Sequence, residues 1–156
     1  MKLMLREVTG KDIDLLFRWA NDPETRQNAF HTEQIPYEAH RAWFVKMLAD
    51  RNVLKYILCG CSSNTGEMQD IGQIRLSVEE GEALIDYSID PEKRGQGFGT
   101  RMILMAEERL RESRTDVIYC KGQVKNKNIA SAKAFEKCGY DMDEKEKYLE
   151  FTKRIR

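Results

Sequence analysis

The sequence lacks net charge, long apolar runs and the histidines and cysteines of a metal site, and each shortage removes a class of protein. Its 26 Lys and Arg are matched by 26 Asp and Glu. No general attraction to nucleic acid or to an anionic membrane is therefore expected. There is no stretch of about 18 apolar residues, which excludes an ordinary membrane-spanning helix. The opening MKLMLREVTGKD has neither the apolar core nor the small-residue cleavage site of a secretory signal. The 4 cysteines stand at 59, 61, 120 and 138. Cys59 and Cys61 are too close together for a structural zinc pair, no compact second pair follows, and His31 and His40 lie at no ligand spacing from them. The expectation is free thiols in a reducing cytoplasm and no metal.

What is present fits one folded domain spanning residues 1–156, with 41% hydrophobic and 33% charged residues. Leu3 to Val8 reads as a strand, and Thr9 to Asp12 as a helix start. Ile13, Leu16, Phe17 and Ala20 recur at helical spacing up to a stop at Asn21-Asp22-Pro23. A polar stretch, 24–36, precedes a helix with Ala39, Trp43, Phe44, Met47 and Leu48 on one stripe. Strands are predicted over 53–59, 71–78 and 83–89, joined by turns at Ser62 to Gly66 and at Glu80-Gly81. The second half reads as a helix over 97–112, a strand over 116–124, a helix from Asn128 to Gly139 and a closing strand over 148–155. One helix separates the strands at 83–89 and 116–124, so they are expected to run parallel. The fold class is α/β: a mixed sheet with an antiparallel first half and helices on both faces.

Arg94-Gly95-Gln96-Gly97-Phe98-Gly99-Thr100 is the most informative segment. Alternate glycines free backbone N–H groups to point into one small space, and the following helix adds its positive dipole end, so the segment suits a phosphate or pyrophosphate. It is not a GxxxxGK[ST] loop, and Thr100 stands where a dinucleotide fingerprint needs its third glycine.

The run Ile85-Asp86-Tyr87-Ser88-Ile89-Asp90-Pro91-Glu92-Lys93-Arg94-Gly95-Gln96-Gly97-Phe98-Gly99 resembles the acetyl-coenzyme A signature of the GNAT family of N-acetyltransferases, [RQ]-x-x-G-x-[GA], with Arg94, Gly97 and Gly99 in place. Asn128, followed eleven residues later by Gly139-Tyr140, is similar to that family's second signature. The resemblance implies that the strand holding Tyr87, Ser88 and Ile89 splays from the strand ending near Val124. The pantetheine arm of acetyl-CoA would lie in the gap and bond the backbone around Ile89. The amides of Gly95 to Thr100 would take the pyrophosphate, and Asn128 would reach the cofactor while also suiting a helix N-cap.

Transfer of an acetyl group to an amine requires the amine neutral. A lysine-like amine is neutral in about one molecule in 2,500 at pH 7, worth roughly 4.6 kcal/mol. Where many family members have a tyrosine acid, this chain has Phe135. The candidates for catalysis are then Ser131, one turn after Asn128, and Tyr87, and a tyrosine introduced at 135 is expected to be neutral or mildly helpful. Family bases fall on Ala83, Ile85 and Gln123, none of which titrates, which leaves a water chain ending on His31 or Glu33. The first half, through Trp19, Asn21, Arg26, Asn28 and Phe30, is similar to acetyltransferases acting on nucleotide-linked 4-amino sugars in pseudaminic-acid-type synthesis. That resemblance implies a small-molecule amine substrate met by Arg26, Asn28, His31 and Glu33, with Trp19, Trp43 and Phe44 in the core. The alternatives are a protein N-terminal acetyltransferase of the ribosomal-protein type and a CoA-binding module without catalysis. Homodimers are common in the family, although no residue here requires one.

Overall fold

The computed structural model describes residues 1–156. In chain order the elements are β1 (Lys2–Glu7), α1 (Ile13–Ala20), α2 (Pro23–Asn28), α3 (Tyr37–Ala49), β2 (Val53–Cys61), β3 (Met68–Glu79), β4 (Glu82–Ile89), α4 (Phe98–Ser113), β5 (Tyr119–Val124), α5 (Ile129–Lys137), β6 (Asp141–Glu144) and β7 (Leu149–Arg154). They form one seven-stranded sheet in the order β1-β2-β3-β4-β5-β7-β6. Every neighbouring pair is antiparallel except β4 with β5. Hairpins account for the antiparallel half. The β3–β4 turn has both Glu80 and Gly81 at positive φ, the conformation whose twist matches two paired strands. Helix α4 then carries the chain across the sheet, and a crossover of that length makes the next strand parallel.

Apolar alternation along the strands feeds two cores. Leu76, Val78, Ala83 and Ile85 meet Met102, Ile103, Ala106 and Leu110 of α4 and Phe135 of α5 on one face. Leu16, Trp19, Phe44 and Met47 of α1 and α3 cover Ile57 and Cys59 on the other. Within the larger core Glu107 is 1% exposed. Its carboxylate accepts from Lys153 Nζ at 2.6 Å and from Tyr140 Oη at 2.8 Å, which satisfies a charge that would otherwise be costly to bury.

Three elements differ from the sequence expectation. The polar stretch 24–36 opens with a helix, because Asp22 accepts from Thr25 N as its N-cap and Pro23 is preset for the first turn. A strand, β6, lies at Asp141–Glu144, where all four residues are exposed. Strand β5 also starts at Tyr119 rather than 116, since Val117 N bonds Arg114 O in a turn.

Candidate active site

Strands β4 and β5 stay paired only from Glu82↔Tyr119 to Ile85↔Gly122. Beyond that point Asp86 to Ile89 pair with β3 alone, and Gln123 and Val124 with β7 alone. The parting leaves a gap that opens into a cavity of about 930 Å³, lined by both sheet halves, α4, α5 and the α1–α3 segment.

One end of the cavity is the glycine segment. Gly95 and Gly97 adopt φ of +76° and +80°, a region that side chains with a Cβ rarely enter. Gly97 is the N-cap of α4, which has no side-chain cap and no acidic residue in its first turn. By contrast, α2 and α5 are capped by Asp22 and Asn128. A sixteen-residue helix thus presents uncapped N–H groups and a positive dipole end to the cavity, a fit for a diphosphate. Gly95, Gly97, Gly99 and Thr100 line it, as does Phe98, whose ring belongs to the core. Gln96 is exposed and lies outside the lining.

At the middle of the cavity, where the strands part, Tyr87 Oη donates to Ser131 Oγ at 3.0 Å. Tyr87 comes from β4 and Ser131 from the first turn of α5, which Asn128 fixes by accepting from Ser131 N at 3.2 Å. Burial pushes the Tyr87 phenol above the ordinary tyrosine range, against a smaller opposing effect of the Ser131 bond. The phenol is therefore a protonated hydroxyl across neutral pH. Ser131 is 9% exposed and still lines the cavity. Tyr87, Ser88, Ile89 and Asn128 line the same space. Phe135 is no place for a tyrosine: the far edge of its ring fills the position of a Gly122 Cβ, with Cζ 2.3 Å from it. A hydroxyl there would press on the β5 backbone, and Phe135→Tyr is disfavoured rather than neutral.

The other end of the cavity is walled by α2, α3 and the outer face of β3 and β4. Trp43, expected in the core, is 39% exposed, with the Arg75 guanidinium 4.8 Å above its ring. Arg75 is also ion-paired with Asp86. Gln73 donates to Ser88 Oγ at 3.1 Å. Trp19 and Phe44 are buried as expected. Arg26 and Asn28 line this end, whereas His31 and Glu33 do not. Their carbonyls instead receive the Arg26 guanidinium, at 2.9 and 3.3 Å, which folds the loop back on α2. A water chain to either side chain has no geometric support. Arg75 and Asp86 escaped the sequence reading, although their alternation with Ile74 and Tyr87 already placed them on one face.

Residues 2–141 match a family model described as an acetyltransferase (GNAT) domain. No curated protein matches the chain at a significant level. Among solved structures, a spermidine N-acetyltransferase from Vibrio cholerae with CoA and spermine superposes with a TM-score of 0.82 at 15% identity, covering 98% of this chain and 95% of that one. An aminoglycoside acetyltransferase with ribostamycin and coenzyme A gives 0.82 at 18%, covering 99% and 94%. A ribosomal L7/L12 alpha-N-protein acetyltransferase with coenzyme A gives 0.80 at 15%, covering 99% and 95%. At such identities the superpositions establish the shared fold.

Proposed function

Because the chain belongs to the GNAT acetyltransferase family and is an acetyl-CoA-dependent N-acetyltransferase, we propose that its acceptor is a primary amine of low basicity, the 4-amino group of a nucleotide-linked amino sugar. The carrying observation is that both carboxylates lining the cavity are already opposed. Asp86 faces Arg75, and Glu24 faces Arg94 at 2.6 Å. No lining carboxylate is left to draw in a cationic polyamine or peptide ammonium, and none stands ready as a base. An amine that is neutral near pH 7 needs neither. The aromatic face of Trp43 beside Gln73, Asn28 and Ser88 offers the mixed stacking and hydrogen-bonding surface that suits a sugar ring. Four free thiols favour a reducing compartment such as the cytoplasm.

Acetyl-CoA, when bound, supplies the thioester whose acyl group is transferred. The amides of the α4 first turn and of Gly95 to Thr100 would hold its diphosphate. Ser131 Oγ already accepts from Tyr87 Oη, so its own proton is directed into the gap, towards the place of the leaving sulfur. Tyr87 then passes its proton to Ser131, and the proton released by the acylated nitrogen returns through solvent to restore the phenol, which burial keeps protonated at rest. The pair replaces the acid that Phe135 cannot supply.

The test is acetyl-CoA turnover against a nucleotide-linked 4-amino sugar, spermine, kanamycin and an N-terminal peptide, from pH 6 to 9. The sugar should be acetylated fastest, with a rate that levels off once its own amine is neutral. A peptide turned over faster and still accelerating with pH would replace this reading with the ribosomal-protein type. Tight coenzyme binding with no turnover of any amine would point to a binding module.

A further inference from the structure

Arg94 occupies the first position of the phosphate-loop motif, yet its side chain leaves the loop. Its guanidinium meets Asp22 Oδ2 at 2.5 Å and Glu24 Oε2 at 2.6 Å, with Thr25 Oγ1 at 3.3 Å. All three belong to the N-terminal turn of α2, and Asp22 is its N-cap. Burial would push the Asp22 carboxyl up, but its bonds from Arg94 and Thr25 outweigh that and hold it below the usual carboxylate range.

What makes this contact consequential is how little else holds α2. The helix has six residues, none of them buried, and a helix of that length has no stability of its own. Its other fastenings are to its own neighbourhood, through Arg26 Nε to Ala20 O at 2.6 Å and through the loop carbonyls of 31 and 33, save for one exposed bond from Lys125 Nζ to Gln27 O at 2.9 Å. Yet α2 supplies Glu24, Thr25, Arg26 and Asn28 to the acceptor end of the cavity. A second tie runs parallel: Trp19 Nε1 of α1 donates to Asp90 Oδ2, just before the phosphate loop, at 2.8 Å.

We propose that Arg94 is a positioning residue that fastens the acceptor wall to the phosphate loop. A planar fork spanning two carboxylates holds α2 in one orientation only while the loop backbone at Gly95 and Gly97 is itself ordered. Coenzyme seated on the loop therefore rigidifies α2, and the acceptor finds its wall already set. The inference rests on the acetyltransferase reading only in taking the glycine segment as the place of the coenzyme.

The experiment combines calorimetry of coenzyme A binding with hydrogen exchange of the 24–29 amides, and needs no acceptor. In the parent protein, saturating coenzyme A should slow exchange in α2 by about fivefold or more. Arg94→Ala should bind coenzyme A within about threefold of the parent while α2 no longer responds. Arg94→Lys, which keeps the charge and loses the fork, should respond partially. Glu24→Gln, altered on an exposed carboxylate, should weaken the response in a protein whose folding is not in question. Folded Arg94→Ala protein that loses tenfold or more in coenzyme affinity would make the guanidinium a phosphate ligand and overturn the proposal. So would intact coenzyme binding with an unchanged response of α2. A parent protein that does not bind coenzyme A would instead overturn the proposed function, and this inference with it.

Discussion

Tyr87 is defined by what touches it. Its ring packs edge-on to Phe135 and lies 3.2 Å from where a Gly99 Cβ would be, while its hydroxyl ends on Ser131. With its pKa raised by burial, the phenol donates a proton at any pH below that value and loses the ability only above the ordinary tyrosine range. Any alkaline fall in rate below about pH 10 must then come from elsewhere. Ser131→Ala should lower single-turnover rates by about 10- to 1,000-fold and leave coenzyme affinity within about threefold. Tyr87→Phe should fall in the same direction. Because the two hydroxyls act in series, the double variant should be no slower than the worse single one, and losses that multiply would separate Tyr87 from the mechanism. The residue types were legible in the sequence, but their contact was not. Tyr87 and Ser131 are 44 positions apart, and only the fold says that one points at the other. The same holds for Arg94, whose motif position suggested the phosphate while Asp22, 72 positions away, holds its side chain.

At the scale of elements, the uncapped N-terminus of α4 can be tested on its own. Gly97→Glu should weaken coenzyme A binding by about 100-fold, since a carboxylate would enter a space shaped for anions. Gly97→Ala carries the same positive-φ strain, of order 1 kcal/mol, without the charge, so comparing the two in calorimetry and in melting temperature isolates the electrostatic part. Equal affinities for the two variants would remove the anion-site assignment. Helices α4 and α5 were readable because their signals are local: a glycine segment before one, and Asn128 and Gly139 bounding the other. Strand β6 offered no such signal, and the Asp22-Pro23 start of α2 reads equally well as the stop of α1. Helix α2 has no buried face to produce an apolar period. Strand β6 exposes all its residues and exists because β7 lies alongside it, a pairing that hydropathy does not encode. The loop after α2 misled for a related reason, since polarity marks His31 and Glu33 as exposed without saying which way they face.

At the scale of the whole molecule, thiols buried in the core make stability sensitive to alkali. Burial pushes the Cys120 and Cys138 thiols up from 9.0 to about 11 each, and burial also raises Tyr140. Groups whose folded pKa lies above the unfolded value stabilise fully below the unfolded value and lose that contribution as pH rises towards the folded one. Denaturant unfolding should therefore show no decline from these thiols below pH 8 and a decline from pH 9 to 11 of about 1.4 kcal/mol per pH unit for each titrating thiol. Cys120→Ala should be less stable at pH 7 yet show a shallower alkaline slope. An unchanged slope would mean that the thiol is not shielded. The short seam between β4 and β5, four residue pairs from Glu82 to Ile85, carries a consequence for the survival of the chain against proteases. Two half-sheets share that seam, and the gap beyond it has no strand-to-strand bonds. A ligand lying in the gap contacts both halves, and at a concentration of 100 times its dissociation constant it adds about 2.7 kcal/mol against opening. Proteolysis acts on the opened population, so coenzyme A at that excess should slow limited proteolysis of the chain by about 100-fold, and cleavage at an unchanged rate would mean that the two halves part without releasing the ligand.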